Sequence, residues 1–191
     1  VDALDSSFYL SFETVEPTNK KMMLAIDVSG SMGSYQMSGS VLTPRVASMA
    51  LAMVTARTEK NYIIKAFSDK LVDVDVSPKM TLDELITKTN QIPFGGTDCA
   101  LPMIYATEKK IQNVDAFIVY TDSETWFGKI HPSQALKEYR KFTNQRSKLI
   151  TVGMVSNNFT IADPTDSDMF DVVGFSTDTP KIISEYILDR I

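Results

Sequence analysis

Two apolar stretches that each lead into an aspartate place the strongest constraint on the fold of this chain. Met22–Val28 and Ala116–Thr121 are almost continuously apolar, which is typical of strands buried on both faces of a parallel sheet. Asp27 lies near the end of the first stretch, and Asp122 directly follows the second. The carboxyl ends of parallel strands meet at one edge of the sheet, where open α/β folds bind their ligands. We therefore expect both aspartates at that edge.

Strand and helix patterns alternate along the rest of the chain, which predicts an α/β fold. Leu71–Val76 alternates valine with aspartate, as expected for an edge strand with one solvated face. We predict a doubly wound, mostly parallel six-stranded sheet with helices on both faces and one antiparallel edge strand. Residues 2–12 fit a short helix and a strand equally well. The predicted strands are 22–28, 62–67, 71–76, 115–121, 148–154 and 171–175, and the predicted helices begin near Pro44, Thr81, Thr97, His131 and Thr177.

A group of oxygen-bearing side chains follows the predicted strands. Asp27, Ser29 and Ser31 stand at alternate positions on one tight loop, and carboxylate and hydroxyl oxygens are the ligands that hard cations prefer. Aspartate and serine are also common in turns and helix caps, so this loop alone has a structural alternative. A second loop, Gly95-Gly96-Thr97-Asp98, and the end of the second apolar stretch contribute further oxygens. The predicted metal ligands are Asp27, Ser29, Ser31, Thr97 and Asp122, and the predicted ion is Mg²⁺, Mn²⁺ or another divalent cation.

Composition limits the possible partners and the setting. The 191 residues suit one domain over 1–191, and the net charge of -5 gives no overall attraction to nucleic acid or to anionic membranes. No apolar run approaches the roughly 20 residues of a membrane span, so we expect no membrane partner. Cys99 is the only cysteine, which favours a reducing, intracellular location in the cytoplasm, with the nucleus also open. Because the chain starts at Val1 without a signal pattern, we expect it to be part of a longer protein.

The five predicted ligands, in this order, resemble the metal-ion-dependent adhesion site of von Willebrand factor type A (vWA) domains. Further stretches resemble the vWA domain of the Ro 60 kDa family, namely residues 14–17, 91–93, 95–99, 101–104, 131–132, 138–141 and 159–164. The resemblance implies one Rossmann-like vWA domain over 1–191, with residues 1–18 as an N-terminal extension packed on it. It also implies that the strands of Asp27 and Asp122 are neighbours at the centre of the sheet.

The resemblance also implies how such a domain works. The five residues would hold the ion directly or through water and leave one position for a Glu or Asp carboxylate from a partner protein. In proteins of the Ro type, the vWA domain is joined to a ring of helical repeats that binds small non-coding RNA, and no part of that ring is present in this chain. We expect the isolated domain to be a monomer. Tyr35, Met37, Trp126 and Phe127 are candidate apolar contacts around the ion, and Glu124 either competes for it or is solvated.

Two other functions compete with metal-dependent protein binding. Arg140, Lys141 and Lys148 belong to a basic cluster that would contact RNA directly, although such clusters are commonly solvated helix faces. A hydrated Mg²⁺ beside two aspartates would in principle activate water for catalysis. The chain has no Walker loop, however, and its only histidine, His131, is expected to begin a helix. We therefore expect a binding module and not an enzyme.

Overall fold

Six strands form one sheet in the computed structural model of the chain. The structure describes residues 15–37, 41–93, 95–122, 127–155 and 161–191. The strands are β1 (Met22–Asp27), β2 (Tyr62–Phe67), β3 (Leu71–Asp73), β4 (Ala116–Thr121), β5 (Lys148–Gly153) and β6 (Met169–Val173). The element predicted at 2–12, most of the N-terminal extension, Glu124 and Trp126 lie outside the described residues.

The strand order is β3-β2-β1-β4-β5-β6, so the chain crosses over from one side of β1 to the other. β1 pairs in parallel with β2 on one side and with β4 on the other, with Leu24 opposite both Ile64 and Ile118. Only β3 runs antiparallel, and it pairs with β2 at the sheet edge. Every residue of β1, β4 and β5 is buried, which explains the nearly continuous apolar runs of β1 and β4. The predicted sheet is confirmed, including the central position of the two strands that lead to aspartates.

Helices cover both faces of this sheet. Their bounds are α1 (Ser31–Ser34), α2 (Pro44–Thr58), α3 (Leu82–Asn90), α4 (Leu101–Glu108), α5 (Pro132–Thr143) and α6 (Thr179–Ile187). Successive residues of a strand point to opposite faces, so β1 contributes to two separate apolar layers. Leu24 and Ile26 pack with α2, α3 and α6, whereas Met23 and Ala25 pack with α4 and α5. No helix among the described residues is long and apolar enough to cross a membrane.

Local sequence signals account for several helix starts. The Thr43 side chain accepts a hydrogen bond from the Val46 amide, and Pro44 occupies the first turn of α2. Thr81 and Glu84 form the predicted capping box at the start of α3. His131 caps α5 by accepting from the Ser133 amide, which confirms it as a helix-entry residue.

Several element boundaries differ from those expected, and three of them have a clear structural reason. Helix α4 begins at Leu101 instead of Thr97, because the Asp98 amide bonds to the Ser68 carbonyl at 3.0 Å and holds this loop against the end of β2. β3 stops at Asp73 instead of Val76, because pairing with β2 ends there and Val74 and Val76 pack on the apolar core. β6 begins two residues early because Met169 already pairs with Leu149 of β5.

Candidate metal centre

Two of the predicted ligands are placed by adjacent strands. Asp27 is the last residue of β1, and Asp122 directly follows β4, which pairs with β1 as far as Ile26 and Tyr120. The hydroxyl of Thr121, the last residue of β4, donates to the Asp27 Oδ2 atom at 2.8 Å. The sheet register therefore brings both aspartates to the same carboxyl edge.

The carboxylate of Asp27 is fully buried. Its Oδ1 atom accepts a hydrogen bond from the Ser29 amide at 2.8 Å, while Oδ2 accepts the Thr121 hydroxyl. Burial raises the pKa of Asp27 because it removes water from the charged form, the hydrogen bonds from Ser29 and Thr121 lower it, and the nearby charge of Asp122 raises it. The net result is a pKa of about 6. Asp122 itself is only 6% exposed. The carboxylates of Asp27 and Asp122 are thus poorly solvated and close enough to repel each other.

The two serines of the first loop lie side by side. The Ser29 and Ser31 hydroxyl oxygens are 3.2 Å apart, with Ser29 buried and Ser31 exposed. Ser31 begins the single turn of α1, and the buried side chain of Met32 anchors that turn to the core. The Ser29 hydroxyl therefore lies on the interior side, toward Asp27, and the Ser31 hydroxyl lies on the solvent side.

The backbone of Thr97 is bonded to the segment that follows Asp122. Its carbonyl accepts a hydrogen bond from the Phe127 amide at 3.1 Å, which ties its loop to the segment that follows Asp122. Gly96 allows this approach, since a Cβ atom there would lie 2.9 Å from the Phe127 Cβ. The Thr97 side chain is buried, and the residue is 6% exposed. The loops of all five predicted ligands therefore meet at one edge of the sheet.

The chemistry of this donor set fits a hard divalent cation. All of its side-chain donors are oxygens, and its two neighbouring carboxylates lack a full solvent shell. In the part of the chain that the structure describes, no three His, Cys, Asp or Glu side chains cluster closely enough to hold a metal. Among the described residues, the two carboxylates would therefore hold an ion at this edge only together with hydroxyl, carbonyl or water oxygens, which are ligands that Mg²⁺ and Mn²⁺ accept.

Two residues that matter here were not identified from the sequence. Thr121 bonds to Asp27, and its position directly before Asp122 was the only available signal. Arg45 places its guanidinium against the carbonyls of the first ligand loop, at 2.8 Å and 3.0 Å. The signal for Arg45 was a cation in the first turn of a helix, the end where positive charge is disfavoured.

Only some of the expected apolar contacts surround the site. Tyr35 is 36% exposed and Phe127 is 56% exposed, so both offer apolar surface to a partner. Met37 is buried at 6% exposure and packs in the core, which corrects its assignment as a contact residue. Trp126 lies outside the described residues.

Two of the three basic residues named for direct RNA binding are engaged in contacts within the fold. The Lys148 ammonium group is buried and bonds to the Tyr186 carbonyl and to the Asp189 carboxylate. Arg140 forms an ion pair with Asp166 at 2.6 Å. Of the three residues named for direct RNA binding, only Lys141 is exposed. The fold uses the other two cations to hold its own loops and C-terminal segment.

Comparison with known proteins identifies the family. The sequence profile described as the Ro60 vWA domain matches residues 21–187. The chain belongs to the Ro60 vWA domain family. It is 40% identical over 187 residues to a protein named RNA-binding protein RO60 from Deinococcus radiodurans, covering 97% of this chain and 35% of that protein. It is 38% identical over 191 residues to RNA-binding protein RO60 from Caenorhabditis elegans, covering 100% of this chain and 29% of that protein.

Solved structures agree with this assignment. The crystal structure of the Deinococcus radiodurans RO (RSR) protein superposes with a TM-score of 0.89 at 39% identity, over 100% of this chain and 38% of that one. A mussel byssus protein, proximal thread matrix protein 1, has a TM-score of 0.58 at 11% identity over 90% of this chain and 48% of that one, and shows the fold alone. This member of the Ro60 vWA domain family thus spans about a third of the length of its relatives.

Proposed function

We propose that this vWA domain is a divalent-metal-dependent protein-binding module. Its ion, Mg²⁺ or Mn²⁺, is held by Asp27, Ser29, Ser31, Thr97 and Asp122. The observation that carries the proposal is the buried Asp27 carboxylate, which lies beside a second acidic group and a pair of hydroxyls 3.2 Å apart. A divalent cation would offset this concentration of negative charge, and the oxygen donors match what a hard cation prefers.

The charges of the donor set favour an acidic partner. Asp27 and Asp122 together neutralise a divalent ion only if both ligate it directly, and the three hydroxyl donors are neutral. When bound, the ion supplies an electrophilic centre that accepts an anionic oxygen from outside, because Mg²⁺ keeps several of its positions for water or ligands. A Glu or Asp carboxylate of a partner protein is such an oxygen. The exposed rings of Tyr35 and Phe127 provide apolar contacts of the kind that interfaces favour.

Metal binding is tested by calorimetry on the 191-residue chain. Mg²⁺ and Mn²⁺ should each bind with one ion per domain, and Asp27→Ala should abolish binding while the far-UV circular dichroism stays unchanged. Asp75→Ala is a matched control, because the Asp75 side chain is 95% exposed and is assigned to no site. An Asp27→Ala variant that binds the ion as tightly as the wild type would refute the proposal.

The partner's carboxylate is tested with a defined probe. The domain loaded with Mn²⁺ should enhance water proton relaxation, because at least one coordinated water exchanges with solvent. A short peptide blocked at both ends, whose only carboxylate is one glutamate, should lower this enhancement as it replaces that water, whereas the same blocked peptide with glutamine should not. Equal effects of the two peptides would contradict a carboxylate ligand.

We further propose that the chain acts within a longer RNA-binding protein, because its relatives carry that name and it spans about a third of them. RNA binding would then belong mainly to a helical-repeat ring outside this chain, and this domain would bind protein inside the cell. Direct RNA binding is the second candidate, supported by the relatives' names and by exposed Lys141. The isolated domain, as a monomer, should bind small RNA weakly and with a shallow salt dependence, since it can neutralise few phosphates. Nanomolar, salt-tolerant binding would favour the second candidate instead.

A further inference from the structure

A buried arginine lies beneath the loop that carries Ser29 and Ser31. Arg45 belongs to the first turn of α2 and is only 5% exposed. Its Nη2 atom donates to the carbonyl oxygens of Val28 at 2.8 Å and Ser29 at 3.0 Å. Its Nη1 atom donates to Oδ1 of Asn90, the last residue of α3, at 3.1 Å. One guanidinium group therefore connects the ligand loop to two helices.

Helix stability gives no reason for an arginine at this position. A cation in the first turn faces the positive end of the helix dipole, and burial of its charge adds a desolvation cost. Burial lowers the pKa of Arg45, whereas the carboxylate of Asp27 raises it. Arginine stays protonated in proteins, so a fixed positive charge lies close to the ligand loop. Its compensating interactions include the two carbonyls of this loop and the charge of Asp27.

The hydrogen bonds of the loop explain what the arginine does. The Val28 amide bonds to the Phe67 carbonyl at 2.9 Å, and the Ser29 amide bonds to Asp27. Arg45 binds the carbonyls of these same two residues, so the orientation of the peptide groups around Ser29 is fixed from both sides. Gly33 of α1 lies against the guanidinium, where an added Cβ atom would be 3.5 Å from the Arg45 Cζ atom. Arg45 thus contacts and supports the backbone of the loop that carries the Ser29 and Ser31 hydroxyls.

We propose that Arg45 is a positioning residue of the metal site. Its guanidinium holds the carbonyls of Val28 and Ser29 so that Asp27, Ser29 and Ser31 keep the arrangement that receives a divalent cation. Arg45 is not itself a ligand, since a guanidinium has no acceptor atom. This inference rests on the proposed function, and the experiment below separates the failure of one from the failure of the other.

Charge and geometry predict opposite effects of removing this side chain. If the positive charge of Arg45 acted only through space, its removal would strengthen binding of a cation. If Arg45 positions the loop, its removal weakens binding, because groups that orient metal ligands typically contribute about 10–100-fold in metal affinity. The sign of the change in affinity therefore distinguishes a positioning role from a simple electrostatic one.

The test compares three variants by calorimetry with Mg²⁺ and Mn²⁺. Arg45→Met should weaken binding by about 10-fold or more. Arg45→Lys keeps the charge but cannot span both carbonyls and Asn90, so it should lose less than Arg45→Met and still bind more weakly than the wild type. Arg57→Met is the matched control, because Arg57 lies in the same helix and donates to the carbonyls of Pro78 at 3.0 Å and Met80 at 3.1 Å, at another loop. It should leave the affinity unchanged.

A second measurement needs no metal. In EDTA, amide hydrogen exchange at Val28 and Ser29 should accelerate by about tenfold in Arg45→Met relative to the wild type, because the loop opens locally more often. Arg57→Met should leave these two amides unchanged. If Arg45→Met does not fold, the same comparison with Arg45→Lys should show a smaller acceleration in the same direction.

The outcomes separate the two ideas. A wild type that binds no divalent ion would overturn the proposed function and, with it, the assignment of Arg45 to a metal site. A wild type that binds the ion, with Arg45→Met binding equally or more tightly, would overturn the role of Arg45 and leave the proposed function standing. Unchanged exchange at Val28 and Ser29 in the Arg45 variants would also overturn that role.

Discussion

Asp27 should destabilise the metal-free domain, and replacing it with asparagine should therefore make that form more stable. The folded structure raises the pKa of Asp27 from 3.8 to about 6, chiefly because the carboxylate is buried. A carboxyl group whose pKa is raised by folding binds protons more tightly in the folded state. At neutral pH, where the group is ionised in both states, its charge costs folding free energy.

The size of this cost follows from the two pKa values. The difference between 3.8 and about 6, at about 1.36 kcal/mol for each pH unit, corresponds to about 3 kcal/mol. The cost is absent below about pH 4, grows between about pH 4 and pH 6, and is complete above that range. Asparagine carries no charge and keeps the shape of the side chain. Its oxygen can accept from the Ser29 amide and its NH₂ group can donate to the Thr121 hydroxyl.

Urea denaturation in EDTA across this pH range is the assay. Near pH 7, Asp27→Asn should be more stable than the wild type by up to about 3 kcal/mol, and the gap should close near pH 4. Saturating Mg²⁺ should reverse the order, because only the wild type gains the free energy of ion binding. An asparagine variant that is less stable at every pH in EDTA would refute the reasoning, since it would show that the charged carboxylate stabilises the fold.

Three further predictions concern stability. Gly128→Ala should lower the free energy of unfolding by about 1–3 kcal/mol in urea denaturation. Gly128 has a φ of 110°, and an added Cβ atom would lie 2.5 Å from Asp98 Oδ2. A loss below about 0.5 kcal/mol would contradict this. Burial raises the pKa of Asp166, but its hydrogen bond with Arg140 and backbone and charge interactions leave that pKa lowered. Its stabilisation is thus present above about pH 4 and is lost as the pH falls through the lowered pKa. Asp166→Asn should therefore destabilise the domain near pH 6, and its difference from the wild type should shrink as the pH falls below about 4; a gap that does not depend on pH would count against the ion pair. Leu24→Ala should cost about 2–5 kcal/mol by the same assay, because Leu24 is fully buried in the central strand, and a smaller loss would mean that the core relaxes around the gap.

The sequence predicted the sheet well because its signals are local. Strands buried on both faces need continuous apolar runs, and those of β1 and β4 mark the centre of the sheet. Caps are equally local, since Thr81 and Glu84 need only each other to begin a helix. The predicted start of α4 and the predicted end of β3 were wrong because these boundaries depend on contacts with residues distant in sequence. The Ser68 carbonyl, for example, holds the Asp98 amide just before α4.

The candidate site divides in the same way. The residue types and their spacing predicted five oxygen ligands and, through the ends of two parallel strands, by themselves determined the edge at which Asp27 and Asp122 lie. Only the tertiary structure decided which side chains surround them. It buried Met37, paired Arg140 and Lys148 with acids, and placed Arg45 under the ligand loop. The physical reason is that the exposure of a side chain and the pairing of its charge depend on contacts between segments far apart in the chain. The spacing of residues along the chain does not specify those contacts.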